Sequence, residues 1–158
     1  MQRFICLMTT LCILSGTIVI HAESLESNTG LEVDDHKTLF YVLSLSNHSK
    51  MPITEQEVSS QIELRLRALN IRPASFLKRH GKPYLHVIVT LYDRGFNVVL
   101  SFRREVSFRV GEKVYRTTAD TWSDGTGGTH INDPDFIVRA IIKYLDQFLA
   151  DYMKANEK

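Results

Sequence analysis

The sequence predicts an α+β two-layer sandwich, in which a mainly antiparallel four-stranded sheet carries two helices on one face in the order β-α-β-β-β-α. Three observations lead there: an amphipathic stretch from Pro134 to the C-terminus, a second helical pattern after Thr54, and runs of alternating apolar residues between Thr38 and Ser123. From Pro134 onward Ile137, Ala140, Ile141, Tyr144, Leu145, Phe148, Leu149 and Tyr152 recur at spacings of three and four, which is one stripe of a helix. Asn132 or Asp133 can cap its first free amides, Pro134 costs nothing at the first turn, and Asp135 meets the positive end of the dipole. A stripe of this kind needs a sheet face to receive it.

The earlier elements follow in order. Thr38 to Ser46 alternates with apolar residues on both sides, as an interior strand does. Thr54-x-x-Glu57 fits a capping box, and Val58, Ile62, Leu66 and Leu69 continue one helical face up to Asn70, which tolerates the left-handed conformation before Pro73. Arg72 to Pro83 reads as an irregular basic connector. Tyr84 to Tyr92 is a strand, Asp93-Arg94-Gly95 turns it, and Phe96 to Val110 runs back with Phe96, Val98, Leu100, Phe102, Val106, Phe108 and Val110 on one side. A run of that length predicts a bend or bulge near Arg103-Arg104. After Gly111-Glu112, Val114 to Ser123 returns, with Tyr115, Thr117, Ala119 and Thr121 opposite Val114, Arg116, Thr118, Asp120 and Trp122.

At the other end, Arg3 precedes an uncharged, mostly apolar run from Phe4 to Ile20, and Ala22 supplies a small residue for cleavage. Residues 1–22 are therefore expected to be a signal peptide, the polar Ser15-Gly16-Thr17 break arguing against a retained anchor. Residues 23–37 read as a flexible acidic leader and 38–154 as a single domain. The expected location is the periplasm or the exterior, without stable membrane insertion after cleavage. Both cysteines, Cys6 and Cys12, would leave with the signal, removing disulfides, thiolate nucleophiles and cysteine metal ligands. Without Arg3 the 19 basic residues become 18, against 18 acidic ones, which lacks the basic excess of a nucleic-acid binder.

The stretch from Trp122 to Asp133 most invites a site. Its Gly125, Gly127 and Gly128 read as a loop that could approach a ligand closely, but Thr129-His130 stands where a phosphate-binding loop needs Lys and then Ser or Thr. A Gly-x-Ser-x-Gly elbow is absent, and no two of His36, His48, His80, His86 and His130 have the spacing of a local metal pair. No catalytic residue, metal or cofactor is assigned. The candidate ligand-binding residues are Trp122, Asp124, Gly127, Gly128, His130 and Asp133. His86, inside a strand, reads as a hydrogen-bonded sheet residue rather than a base.

Three segments carry a resemblance: Ile62 to Ile71, Trp122 to Gly128, and Tyr144 to Tyr152. In these the chain resembles a group of small exported bacterial proteins of unknown function, over about Val58 to Asn156. It is also loosely similar, in element order, to envelope accessory domains such as the N-terminal domain of the Tol translocation protein. The resemblance implies export and the α+β layout, with no catalytic residues. The resulting expectation is a non-enzymatic envelope protein that binds or assembles with a protein partner through a sheet edge or an uncovered face. The competing one is a small periplasmic hydrolase or ligand-binding protein using the Ser123–Asp133 loop.

Overall fold

A computed structural model describes residues 30–129 and 133–157. The order is β1 (Thr38–Asn47), α1 (Glu55–Ala68), β2 (Arg72–Ser75), β3 (Tyr84–Leu91), β4 (Gly95–Val110), β5 (Lys113–Thr129) and α2 (Pro134–Asn156). The signal-peptide reading of 1–22 falls outside the described residues.

The α+β class holds, but the sheet is mixed and has five strands in the order β2-β1-β3-β4-β5. The additional strand is β2, four residues at the head of the stretch read as an irregular connector. It lies parallel to β1, Thr38 opposite Arg72 and Tyr41 opposite Ser75, and Arg72 N–H donates to the Lys37 carbonyl at 2.8 Å. Its brevity and Pro73 give no alternation to read, and Pro is tolerated because this is an edge. β1 is also parallel to β3, from Phe40 opposite Tyr84 to Asn47 opposite Leu91, while β3-β4 and β4-β5 are antiparallel.

Both helices start and stop as their sequences dictate. Thr54 Oγ1 accepts from Glu57 N–H at 3.2 Å, and Asp133 Oδ1 accepts from Phe136 N–H at 3.0 Å. The α1 exit is a paired C-terminal cap: Asn70 adopts φ of 59° while its N–H reaches the Arg67 carbonyl, and Ile71 N–H reaches the Leu66 carbonyl. α1 lies on β1 and β2, α2 lies on β4 and β5, and Arg65 meets Asp146 across the helix pair at 3.6 Å. The core between the layers takes Leu85, Val87, Val89 and Leu91 from β3 and Val98, Leu100 and Phe102 from β4, all fully buried. Against them sit Val58, Ile62 and Leu66 of α1 and Ile137, Ile141, Leu145, Phe148, Leu149 and Tyr152 of α2. An aromatic cluster closes one end: Phe148 stands 5.9 Å from Phe102, 5.6 Å from Tyr152 and 5.1 Å from Trp122, ring centre to ring centre.

Two boundaries read from the sequence are corrected. The expected glycine loop is the second half of β5, which continues in register to Thr129 opposite Gly95. Gly125 makes this possible, because a β-carbon there would collide with the Val98 carbonyl of the neighbouring strand. The leader is also not free along 30–37. Leu31 is buried in the core, Asn156 Nδ2 donates to its carbonyl at 3.1 Å, and Asn156 Oδ1 accepts from Val33 N–H at 2.9 Å. Gly30, at φ of 78°, is pressed so closely on Thr121 that no side chain would fit, and its carbonyl accepts from Thr121 Oγ1 at 2.6 Å. Leu31 and Val33 are too short an apolar pattern, amid acidic neighbours, to announce this strap.

Candidate functional site

The described members of the predicted ligand site are spent on local structure. Trp122 packs on Phe148, and its Nε1–H donates to Asp151 Oδ2 at 3.1 Å, tying β5 to α2. Asp124 accepts the N–H of Gly125 at 2.7 Å. Gly127 and Gly128 are ladder positions opposite Asn97 and Phe96, with the Phe96 ring lying against Gly128. Asp133 is the α2 cap and also takes Arg139 at 3.4 Å. His130 falls outside the described residues. A cleft of about 260 Å³ beside this stretch is lined by Phe96, Thr126, Phe136, Arg139, Ala140, Lys143 and Tyr144, none of them among the six. Among the described residues no group of three or more His, Cys, Asp or Glu side chains is placed to hold a metal ion.

The feature that stands out lies further along the same two strands. β3 begins at Tyr84, opposite Arg103, so among the described residues β4 beyond Arg103 is paired only with β5. The result is a two-stranded arm, Arg103–Val110 with Lys113–Asp120, that extends past the body by roughly 25 Å at about 3.3 Å per residue. At its root the ladder slips: Phe102 faces Trp122 but Arg103 faces Asp120, leaving Thr121 as an extra residue on β5. The sequence placed such an irregularity on β4 at Arg103-Arg104; it is found there in register, with the surplus residue on the opposite strand. That surplus changes the phase of β5. Trp122 turns toward α2 with Phe102, yet it is Tyr115, Thr117 and Ala119 that share a face with Val106, Phe108 and Val110.

The arm is consequently two-sided. One face carries Val106, Phe108, Val110 and Tyr115, with the Phe108 and Tyr115 rings stacked at 5.6 Å and 17°. The other carries ion pairs, Arg103 with Asp120 at 2.6 Å and Arg116 with Glu105 at 3.7 Å. Among the described residues no helix covers either. Phe108 is 50% exposed, Val110 60%, Val114 58% and Tyr115 45%. A lone two-stranded ribbon is marginal in water, and an uncovered apolar face of this kind is characteristic of a docking element. The signal for it in the sequence was the length of the alternating run, which exceeds what α2 can cover.

The sheet face away from the helices holds a second polar group. His86 Nε2 shares a hydrogen bond with Ser44 Oγ at 2.9 Å, as the sequence reading of a satisfied sheet histidine anticipates. Its Nδ1, however, is buried without a partner among the described residues, and so is Oγ of Ser101, the residue directly opposite. Burial and then the Arg103 cation hold the imidazole below its ordinary value, with Asp120 pulling weakly upward. The group is thereby kept neutral and unsuited to binding an anion. The folded state binds fewer protons than the unfolded chain, so stability is retained above the unfolded imidazole value of about 6.5 and falls as the pH drops through it toward the lower folded value. Thermal unfolding should accordingly drop in temperature between about pH 7 and pH 5, and part of that drop should vanish in His86→Asn. An identical pH profile in the variant would show that His86 is not responsible.

Fold and site together define an α+β sandwich with a projecting β-arm as its candidate interaction element. No protein-family model matches the sequence, and comparison with curated proteins found no match. Among solved structures, a PelC variant from Paraburkholderia phytofirmans, described as a dodecamer, is 17% identical, with a TM-score of 0.44, over 72% of this chain and 90% of that one.

Proposed function

We propose that this chain is an exported, non-enzymatic assembly module of the cell envelope that pairs with a second copy of itself through the β4-β5 arm. Export rests on the apolar run from Phe4 to Ile20 and the Ala22 junction. The observation that carries the self-pairing is the contrast between the two edges of the sheet. β2 is a four-residue edge blunted by Pro73, whereas β5 is a 17-residue edge containing no proline. Edges of the second kind recruit another strand.

The arm sequence suits a two-fold partner. Antiparallel pairing of β5 with the β5 of another copy, centred on Thr118, sets Arg116 opposite the partner's Asp120 and repeats that pair across the axis. It also brings the apolar faces of both arms to the same side and turns two marginal ribbons into one four-stranded sheet. Sedimentation velocity tests this. The parent chain should run as a dimer, and Thr118→Lys, which sets two ammonium groups against each other on the axis, should raise the dissociation constant about tenfold or more with an unchanged circular dichroism spectrum. A monomeric parent, or a dimer indifferent to this substitution, refutes the reading.

A further inference from the structure

We infer that the tip of the β4-β5 arm is a lipid-docking element that seats in the headgroup layer of an anionic membrane. This goes beyond self-pairing, which uses the backbone edge of β5, whereas docking uses the side chains on the two faces beside the turn.

The argument starts from the turn at Gly111-Glu112. The last pairs before it are Val110 with Lys113 and Arg109 with Val114, so Val110 and Val114 lie on opposite faces of the ribbon. Both are about equally bare, at 60% and 58% exposure. A groove or flat surface of a protein covers one face of a ribbon. A tip that bears an exposed valine beside a cation on each face suits a medium that surrounds it with both apolar and anionic groups, and the interfacial zone of an anionic bilayer is such a medium. Behind the two valines sit Phe108 and Tyr115, stacked on each other and half exposed. A tyrosine there, apolar ring and polar hydroxyl, suits the boundary between acyl chain and headgroup.

Charge selects the kind of lipid. Between Phe108 and Tyr115 stand Arg109 and Lys113 against the single carboxylate of Glu112, a net charge of +1 (two cations less one anion), while Arg116 behind them is paired with Glu105. The cations belong to both faces, Lys113 sharing one with Val110 and Arg109 the other with Val114, so they flank the valines of the tip. Cations in that position are attracted to anionic headgroups, each strengthening binding about fivefold at low salt. A nucleic acid or other polyanion would match the cations but would leave the valines and Phe108 in water, and it is therefore disfavoured. Among the described residues no helix is long and apolar enough to cross a membrane, so the contact is interfacial docking by a hairpin and not a spanning helix.

The test needs a reporter at the tip, because the apolar N-terminal run could carry the whole chain to any vesicle. Tyr115→Trp in the full chain supplies it, read by quenching from brominated phosphatidylglycerol vesicles against brominated phosphatidylcholine vesicles, with the parent chain subtracted to remove Trp122. The expected result is quenching of the new tryptophan by the anionic vesicles, weak quenching by the zwitterionic ones, and loss of the difference at high salt. In that background Val110→Ser with Val114→Ser should weaken tip binding about tenfold or more, and Lys113→Gln about fivefold. Thr118→Lys, which disrupts self-pairing, should leave the quenching in place and so separates the two readings. Absence of quenching by anionic vesicles, or quenching indifferent to the valine and lysine changes, overturns the inference. So does tip protection by a soluble polyanion that equals the effect of the vesicles.

Discussion

Phe148→Ala should cost about 3–5 kcal/mol of unfolding free energy, the largest loss expected from any single side chain in this fold. Phe148 has no solvent exposure and is the hub of the aromatic cluster, touching Phe102 from the sheet, Tyr152 from its own helix and Trp122 from β5. Truncation leaves a hole that a sheet and a helix already fixed by other contacts can close only in part, so the transfer cost and the cavity cost add. Trp122 is the only tryptophan and lies against the substituted ring, which makes its fluorescence a direct reporter in a urea titration. Phe108→Ala provides the contrast. That ring is also stacked on an aromatic partner but is half exposed on the arm, and its loss should cost under about 1 kcal/mol. Equal losses at the two positions would show that the core is not centred where the structure places it.

Gly125→Ala should destabilise the fold by about 2–3 kcal/mol, although propensity alone gives the opposite sign, since alanine suits a strand better than glycine does. The reason is a close backbone approach: a β-carbon at 125 meets the Val98 carbonyl and the Val99 α-carbon, and neither can swing aside as a side chain would. Strands β4 and β5 would have to part at the point where β5 also carries Trp122 to α2. Gly127→Ala meets the Phe96 carbonyl at 3.3 Å and the Asn97 side chain at 3.5 Å, both looser than the two closest contacts at 125, and should cost less. Urea midpoints for the two variants decide the matter, and a neutral Gly125→Ala would mean that the two strands are further apart than described.

What the sequence disclosed and what it withheld divide along a physical line. Signals carried by neighbours in the chain were legible. The α2 stripe is buried at Ile137, Ile141, Leu145, Phe148, Leu149 and Tyr152, with Ala140 and Tyr144 half-buried at its margin, and Asp133, Thr54 and Asn70 make the caps their chemistry favours. Features set by a distant partner were not. β2 exists because the first turn of β1 lies beside it, and nothing in Arg72-Pro73-Ala74-Ser75 alternates. The glycines of β5 look like a loop until β4 is laid against them. Strict alternation placed Trp122 on the side of Arg116 and Asp120, whereas the unpaired Thr121 puts Trp122 on the helix side and those charges on the other. For the same reason the arm, whose two faces can be told apart only once the slip in the ladder is known, was not legible beside the ligand site expected at Trp122, Asp124, Gly127, Gly128, His130 and Asp133.

The strap at the N-terminal edge of the described fold has a mechanical consequence. The ties of its first residues, Gly30 to Thr121, Glu32 to Arg104 at 3.3 Å, and Leu31 and Val33 to Asn156, land at the root of the arm or on the last turn of α2. A force pulling on the chain ahead of residue 30 is therefore delivered first to the kink that aims the hairpin, and only afterwards to the sheet. Tension and arm direction are geared together at one corner of the molecule.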